Sequence, residues 1–261
     1  MAQFAHSTPA LYDRYMGPLL FEPYAKFVAE RCAVFRPSRI LETAAGTGIV
    51  TRAVHRAVPQ AHIVATDVNP AMLEYAAKAL KSETVSFRSA NAQDLPFDAG
   101  SFDIVLCQFG VMFFTDKVRA HQEARRVLRT NGRYVLITFN RLELNPIPKA
   151  AADAVNALFD DEPLDYMDRG PFSYADPARI KDDLTASGFT DMEIETIELS
   201  SRVDARDAAQ GLVFGSPLRA EIERRDPSAV DRAADAVAQA LARWHDKEAP
   251  MSAHLVTARI P

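Results

Sequence analysis

The sequence predicts an α/β protein built on a seven-stranded, mostly parallel sheet with helices on both faces. Three observations carry this. Between residues 38 and 140, short apolar runs of strand length alternate with amphipathic helical runs, the pattern of βαβ units. One run, "SFDIVLCQF" at 101–109, is apolar almost throughout, as a strand covered on both faces requires. Beyond residue 190, "MEIETIEL" and "HLVTARI" alternate and supply a sixth and a seventh, closing strand.

The elements follow in order. "RILET" is a short first strand, and "GIVTRAVHRAV" is a helix that Pro59 ends. "HIVATDV" is the second strand. Asn69 as N-cap and Pro70 in the first turn start the helix "AMLEYAAKAL". "VSFRSA" is the third strand and 101–109 the fourth. "KVRAHQEARRVLRT" is predicted as a helix with Val118, Ala124, Val127 and Leu128 on its apolar side. Asn131-Gly132 ends it and turns into the fifth strand, "RYVLITF". The second half is less regular. "AADAVNALF" is helix-like, a Pro- and Asp-rich stretch follows, and a helix runs from near Pro177 to Gly188. Residues 205–247 read as helical. The last piece puts Val230, Ala233, Ala234, Val237, Leu241 and Trp244 on one face.

A chain of 261 residues suits one α/β domain with insertions or two small domains. We read one: an N-terminal lid at 1–37, a core at 38–140, and insertions at 141–176 and 201–250. An apolar fraction of 48% supplies a core, and the net charge of -5 argues against a general nucleic-acid binder, which carries a basic face. Cys32 and Cys107 form neither a disulfide framework nor a zinc spacing, and Cys107 reads as a small buried residue. No metal-ligand cluster is visible. The longest apolar stretch, 104–114, is broken by Gln108 and Gly110 and is too short to span a bilayer. The N-terminus lacks the basic start and apolar run of a signal peptide, so a cytoplasmic monomer or homodimer is expected.

Ligands of open α/β sheets bind beyond the carboxyl ends of the strands. Four stretches lie there. Glu42 with the small-residue turn to Gly48 follows strand one, Asp67 ends strand two, Asn91 and Ala92 follow strand three, and Gln108 and Phe109 follow strand four. Gly46 and Gly48 let backbone approach a ligand closely. Asp67, about twenty residues past the glycines, suits the hydroxyls of a ribose. The Asn91 amide suits an adenine edge, with the Ala92 backbone beside it. Two ligand types need such a set: a dinucleotide or a sulfonium nucleoside. Glu42 would oppose a pyrophosphate and suits an ammonium group. The G-x-G-x-x-G pattern is incomplete, because Thr51 occupies its third position. Both points favour the sulfonium.

In this order, "ILETAAGTG", "IVATDVNPAMLEYA", "SANAQDLPFDAGSFDIVLCQFGVMFF" and "EARRVLRTNGRYVLITF" resemble the class I S-adenosylmethionine-dependent methyltransferases. The resemblance is closest to the small-molecule branch similar to ubiquinone and menaquinone biosynthesis methyltransferases. It is strong over 38–140 and weaker over 1–37 and 141–261. It implies a Rossmann-like sheet with an antiparallel last strand and a helical roof. It implies S-adenosylmethionine as cofactor, S-adenosylhomocysteine as product, no metal, and methyl transfer to an O, N or C atom of a small-molecule acceptor. Glu42, Ala44, Gly46 and Gly48 would line the methionine part. Asp67 would hold the ribose, Val68 and Met72 would pack near the adenine, and Asn91 and Ala92 would meet its edge. The Gln108 backbone would hold the amino group. The chain departs from the family at Ala44, where a glycine is usual, at Asn91, where an aspartate is common, and at Asn131, in place of a Pro-Gly turn. Ala44 needs only an ordinary backbone angle to be harmless.

The insertions at 141–176 and 201–250 leave strand carboxyl ends, so they are expected to roof the crevice and shape an acceptor pocket. The N-terminal stretch places Tyr12, Tyr15, Leu19 and Tyr24 near one another on a helix-like run. Tyr15 is the candidate contact to the carboxylate end of the cofactor; an aromatic stripe packed on the sheet is the equal alternative. His6, Tyr12 and Phe109 are the candidate pocket residues. No strand-end histidine or acid pair stands out as a base, so no catalytic residue is assigned and direct in-line transfer is the simplest mechanism. Any base would come from His6, Tyr12 or Tyr15. His121 reads as a packed histidine, and Arg125, Arg126 and Arg129 as a solvated helix face. The run Gln108-Phe109-Gly110-Val111 lacks both the Asn/Asp-Pro-Pro-aromatic signature of base or glutamine methylation and the acid of a metal-dependent catechol site. A non-catalytic S-adenosylmethionine-binding module that holds a partner is the other reading.

Overall fold

The computed structural model describes residues 9–159 and 163–260. The chain divides into two compact units. One, the sheet unit, comprises Tyr24–Asn140, Tyr174–Ile197 and the segment from Ala253 onward; the other gathers the segment ending at Pro23 with Arg141–Ser173 and Glu198–Ser252. His6 lies outside the described residues.

The seven strands are β1 Arg39–Thr43, β2 His62–Asp67, β3 Val85–Ser89, β4 Phe102–Gln108, β5 Leu128–Phe139, β6 Asp191–Val203 and β7 Lys247–Arg259. They lie in the order β3-β2-β1-β4-β5-β7-β6. The pairs β3–β2, β2–β1, β1–β4 and β4–β5 are parallel, and β7 runs antiparallel to β5. The order turns back between β1 and β4. There adjacent strands send their connections to opposite faces and open a crevice at their carboxyl ends. Central position and composition agree: β4 is buried along its length up to Gln108. The helix Pro70–Ala79 starts as its sequence dictates, with the Asn69 side chain accepting from the Ala71 N–H and Pro70 in the first turn. Among the described residues no helix is long and apolar enough to cross a membrane.

Three boundaries differ from expectation. The helix Lys117–Val127 stops before Leu128, which already pairs with Phe102 in β5. Here tertiary ties override helix propensity: the Gly100 and Ser101 N–H groups bond the carbonyls of Arg126 and Val127, and the Asp103 carboxylate takes the Arg129 guanidinium. Asn131 then takes the left-handed region, φ 62°, inside the strand rather than at a helix end. The helix at 151 begins earlier, at Pro146, whose missing N–H costs nothing in a first turn. The stretch 205–247 is helical in pieces, as expected, up to Trp244. Pro217 and Pro227 divide it, Asp226 caps the next turn by accepting from Ser228, and β7 starts already at Lys247.

Within the second unit, small residues set the packing. Tyr12–Phe21 is a π-helix, with i→i+5 bonding around Gly17 and Pro18. It lies against Gln210–Phe214, where a Cβ on Gly211 would stand 2.9 Å from the Tyr15 Cβ. The helix Val230–Leu241 buries Val230, Ala233, Ala234, Val237 and Leu241 against Pro146–Asn156. Trp244, expected on the same face, is only half-buried, because the helix has narrowed to a 3₁₀ turn. Asn145 ties the ends together: its amide donates to the carbonyls of Arg141 and Ser252 and accepts from the Ser252 N–H.

Candidate functional site

The strand-end residues of the sheet unit converge through backbone contacts. Asp67 ends β2 with one carboxylate oxygen accepting from the Gly46 N–H and the other from the Asn69 N–H, each at 2.8 Å. Each oxygen keeps a second lone pair, so the group remains able to accept two hydroxyls. Burial raises its pKa, while the N–H bonds of Asn69, Gly46 and Val68 oppose the rise. The Ala90 N–H bonds the Asp67 carbonyl, which sets the Asn91–Ala92 turn beside the acid. Asn91 is exposed, and its side-chain oxygen accepts from the Gln93 N–H. Val68 is 44% exposed, an uncovered apolar surface beside the acid, whereas Met72 is 4% exposed and sits largely in the core.

Glu42 is buried in β1. Its carboxyl accepts from the Thr51 hydroxyl at 2.6 Å, and its backbone carbonyl accepts from the Thr66 hydroxyl. Burial drives its pKa up to about 8; the Thr51 bond opposes the rise, Asp67 adds to it, and Arg52 counters least. Thr51 is therefore more than an interruption of a glycine pattern. Its place in the first turn of the helix Ile49–Ala57, nine residues past the acid, was the signal for this pairing.

The turn between them requires positive φ: Gly46 at 55° and Gly48 at 79°. A Cβ on Gly46 would meet nothing within 4 Å, and one on Gly48 would press Ala76 at 3.0 Å. Ala44 lacks the ordinary angle that would make it harmless. Its φ is 53°, left-handed and strained for a residue with a Cβ. Its methyl lies where a Cβ on Gly110 would stand, 2.4 Å away, so Gly110 is obligatory for steric reasons. Sequence reasoning passed over Gly110.

Phe109 also adopts positive φ, 52°, with its N–H bonded to the Ile137 carbonyl. Its ring stacks on Phe139 at 4.0 Å and meets the Tyr24 edge at 5.3 Å, and it is 7% exposed. It forms an aromatic floor next to Gln108. Tyr15 and Tyr12 belong to the other unit. There Tyr15 carries the Arg14 guanidinium over its ring, and Tyr12 stacks on Phe21.

His121 is fully buried. Its ring nitrogens lie 3.3 Å from the Tyr134 and Tyr174 hydroxyls, and the Tyr174 hydroxyl donates to Asp183. Burial pushes its pKa down to about 4, so it is a neutral packing group. Cys32 and Cys107 are buried thiols pushed up to about 12 by burial. Of the predicted solvated arginines, Arg126 instead chelates Glu123 and the Leu95 and Phe97 carbonyls.

A glycine turn after β1 pinned by the Asp67 carboxylate at the end of β2, and an amide turn after β3, stand together at the carboxyl ends of the strands. Residues 41–136 match the family model described as a methyltransferase domain, Methyltransf_11. The chain is similar to the ubiquinone/menaquinone biosynthesis C-methyltransferase of Proteus mirabilis, 31% identical over 157 residues, which is 57% of this chain. It spans about 62% of that relative's length. Among solved structures, the [4+2]-cyclase SpnF aligns with TM-score 0.63 at 20% identity, over 97% of this chain and 93% of the other. Phosphoethanolamine N-methyltransferase 2 of Haemonchus contortus aligns with TM-score 0.63 at 16% identity, over all of this chain and 59% of that one. These establish the Rossmann-like methyltransferase fold.

Proposed function

We propose that the protein transfers a methyl group from S-adenosylmethionine to an O, N or C atom of a small-molecule acceptor by direct in-line displacement. The observation that carries the reading is the Asp67 carboxylate, held by the Gly46 and Asn69 N–H groups at the end of β2. The cradle fits the cofactor's chemistry: the space at Gly46 is open, and the buried Thr47 hydroxyl beside it has no hydrogen-bond partner among the described residues. S-adenosylmethionine supplies an electrophilic methyl group on a sulfonium. The protein's own part is to hold and to position. Asp67 accepts from the ribose, Glu42 faces the cationic end, the Gln108 backbone meets the amino group, and Val68 and Asn91 flank the adenine. Fixing the reacting atoms in line supplies the rate when the nucleophile is already reactive.

Calorimetry tests the cofactor. S-adenosylmethionine or S-adenosylhomocysteine should bind in the micromolar range and NAD should not; the reverse would sink the assignment. A hydrogen bond to a charged group contributes about 1.5–3 kcal/mol, so Asp67→Ala should weaken binding roughly ten- to a hundredfold in a folded chain. Turnover against a metabolite pool, read as S-adenosylhomocysteine formation, separates an enzyme from a module that only binds.

A further inference from the structure

Glu42 is the most deeply buried acid of the cradle, and the charge of Arg52 offsets its burial only weakly. On the helix Ile49–Ala57 it meets the Thr51 hydroxyl, and the Arg52 guanidinium is turned to the Thr47 carbonyl at 2.8 Å. Asp67, at the end of β2, is a second acid. From β4 comes Cys107 and from the helix Glu22–Val34 comes Cys32, both neutral thiols within its electrostatic reach. Among the described residues, Thr51 is the side-chain donor on the carboxyl, at a separation suited to either protonation state. A buried carboxylate beside a second acid is costly unless a cation neutralises it.

We infer that Glu42 carries a proton in the free protein and releases it to solvent when the ammonium group of S-adenosylmethionine or S-adenosylhomocysteine arrives, so that cofactor affinity rises with pH through neutrality. The inference rests on the cofactor reading above. The balance is simple: the neutral carboxyl loses H⁺ to the buffer, the ammonium keeps its protons, and an ion pair forms with no net charge transferred. The raised pKa, driven by burial, agrees with this geometry. By linkage, affinity should climb about tenfold per pH unit while Glu42 is protonated free and ionised bound, and should level near pH 8. Binding then selects ligands with a cationic tail by a means beyond contact. A neutral analogue gains nothing from ionising Glu42.

The test uses the full chain and calorimetry at pH 6.0–7.0, below the ordinary range of an α-amino group. S-adenosylhomocysteine is titrated in phosphate and in Tris, whose ionisation heats differ. The difference in apparent enthalpy should correspond to about one proton released per ligand. 5′-Methylthioadenosine, which has the same nucleoside but no amino-acid tail, should bind with no proton release. Glu42→Gln should bind S-adenosylhomocysteine with a buffer-independent heat and a flat pH profile. Buffer-independent binding by the natural protein overturns the inference while leaving the cofactor assignment intact. Equal release with methylthioadenosine places the proton on Asp67 and also overturns it. No binding of S-adenosylhomocysteine overturns the cofactor reading itself. If Glu42→Gln fails to fold, the comparison of the two ligands on the natural protein still decides.

Discussion

The two compact units are held together by different means. In the sheet unit, two acids at strand termini are held by backbone N–H groups: Asp67 by Gly46 and Asn69, Asp103 by Ser38 and Arg39. In the other unit, order comes from close packing of small residues and from ties between distant points of the chain. Asn145 reaches Ser252, and Gly211 makes room for Tyr15 and Met16. Local chemistry builds the first, and long-range fit builds the second. The chain's single tryptophan, Trp244, lies in the second unit, so its fluorescence reports that unit alone, while far-ultraviolet circular dichroism reports both.

The strongest way to separate them is to cut one polar knot in each. Asp103 is buried, accepts from Ser38 and Arg39 and pairs with Arg129. Its removal orphans two backbone donors at the start of β1. Asp103→Ala should cost about 2–4 kcal/mol. Asn145→Ala removes the amide that bonds both the Ser252 N–H and its carbonyl in the second unit, at about 2–3 kcal/mol. Urea unfolding followed by both probes checks this. Asn145→Ala should move the tryptophan transition first, and Asp103→Ala should move the dichroism. Coincident shifts in both variants would mean that the units unfold as one.

Acid sharpens the same contrast by about 2–3 kcal/mol. His121 has a folded pKa of about 4 against an unfolded value near 6.5. A depressed histidine gives stability that is complete above about pH 6.5 and lost as pH falls through 4, because the unfolded chain takes up the proton first. The loss belongs to the sheet unit, where His121 sits between Tyr134 and Tyr174. Glu42 acts in the other direction. Its raised pKa makes the folded state lose stability as pH climbs from about 4.5 to 8, so Glu42→Gln should gain stability over the natural chain at pH 8–9 and none at pH 4. Thermal melts at pH 4, 6.5 and 8.5 check both signs.

Legibility follows the same division. The strand ends could be read because an acid, a glycine turn and an Asn-Pro start each impose a local backbone state that sequence alone specifies. The antiparallel last strand came from the resemblance and stands as expected. What could not be read depended on partners far away in the chain. Leu128 left its helix because Phe102 pairs with it. The run after 205 is helical as expected, and its prolines, Pro217 and Pro227, mark where it divides. Thr51 was seen as a missing glycine and not as the partner of a buried acid, because the pairing needs Glu42 to be dry.

The smallest effect tests the one position where the sheet unit carries strain. Ala44 stands at φ 53°, and its methyl occupies the space over Gly110. Ala44→Gly removes the left-handed penalty, on the order of 1 kcal/mol, but also removes a half-buried methyl and loosens the unfolded chain. The net should be within about 1 kcal/mol of zero, a shift of a few degrees in Tm at most for a chain of this size. Gly110→Ala, by contrast, drives a Cβ to 2.4 Å from Ala44 and 3.0 Å from the Cys107 sulfur, and should cost about 1–3 kcal/mol. In the double variant the worse of those two clashes disappears, since residue 44 no longer has a methyl. The pair should therefore couple favourably, by about 1 kcal/mol or more, in a double-mutant cycle. The residual cost measures the Cys107 contact alone. Additive effects would show that the backbone, and not the facing methyl, makes Gly110 obligatory.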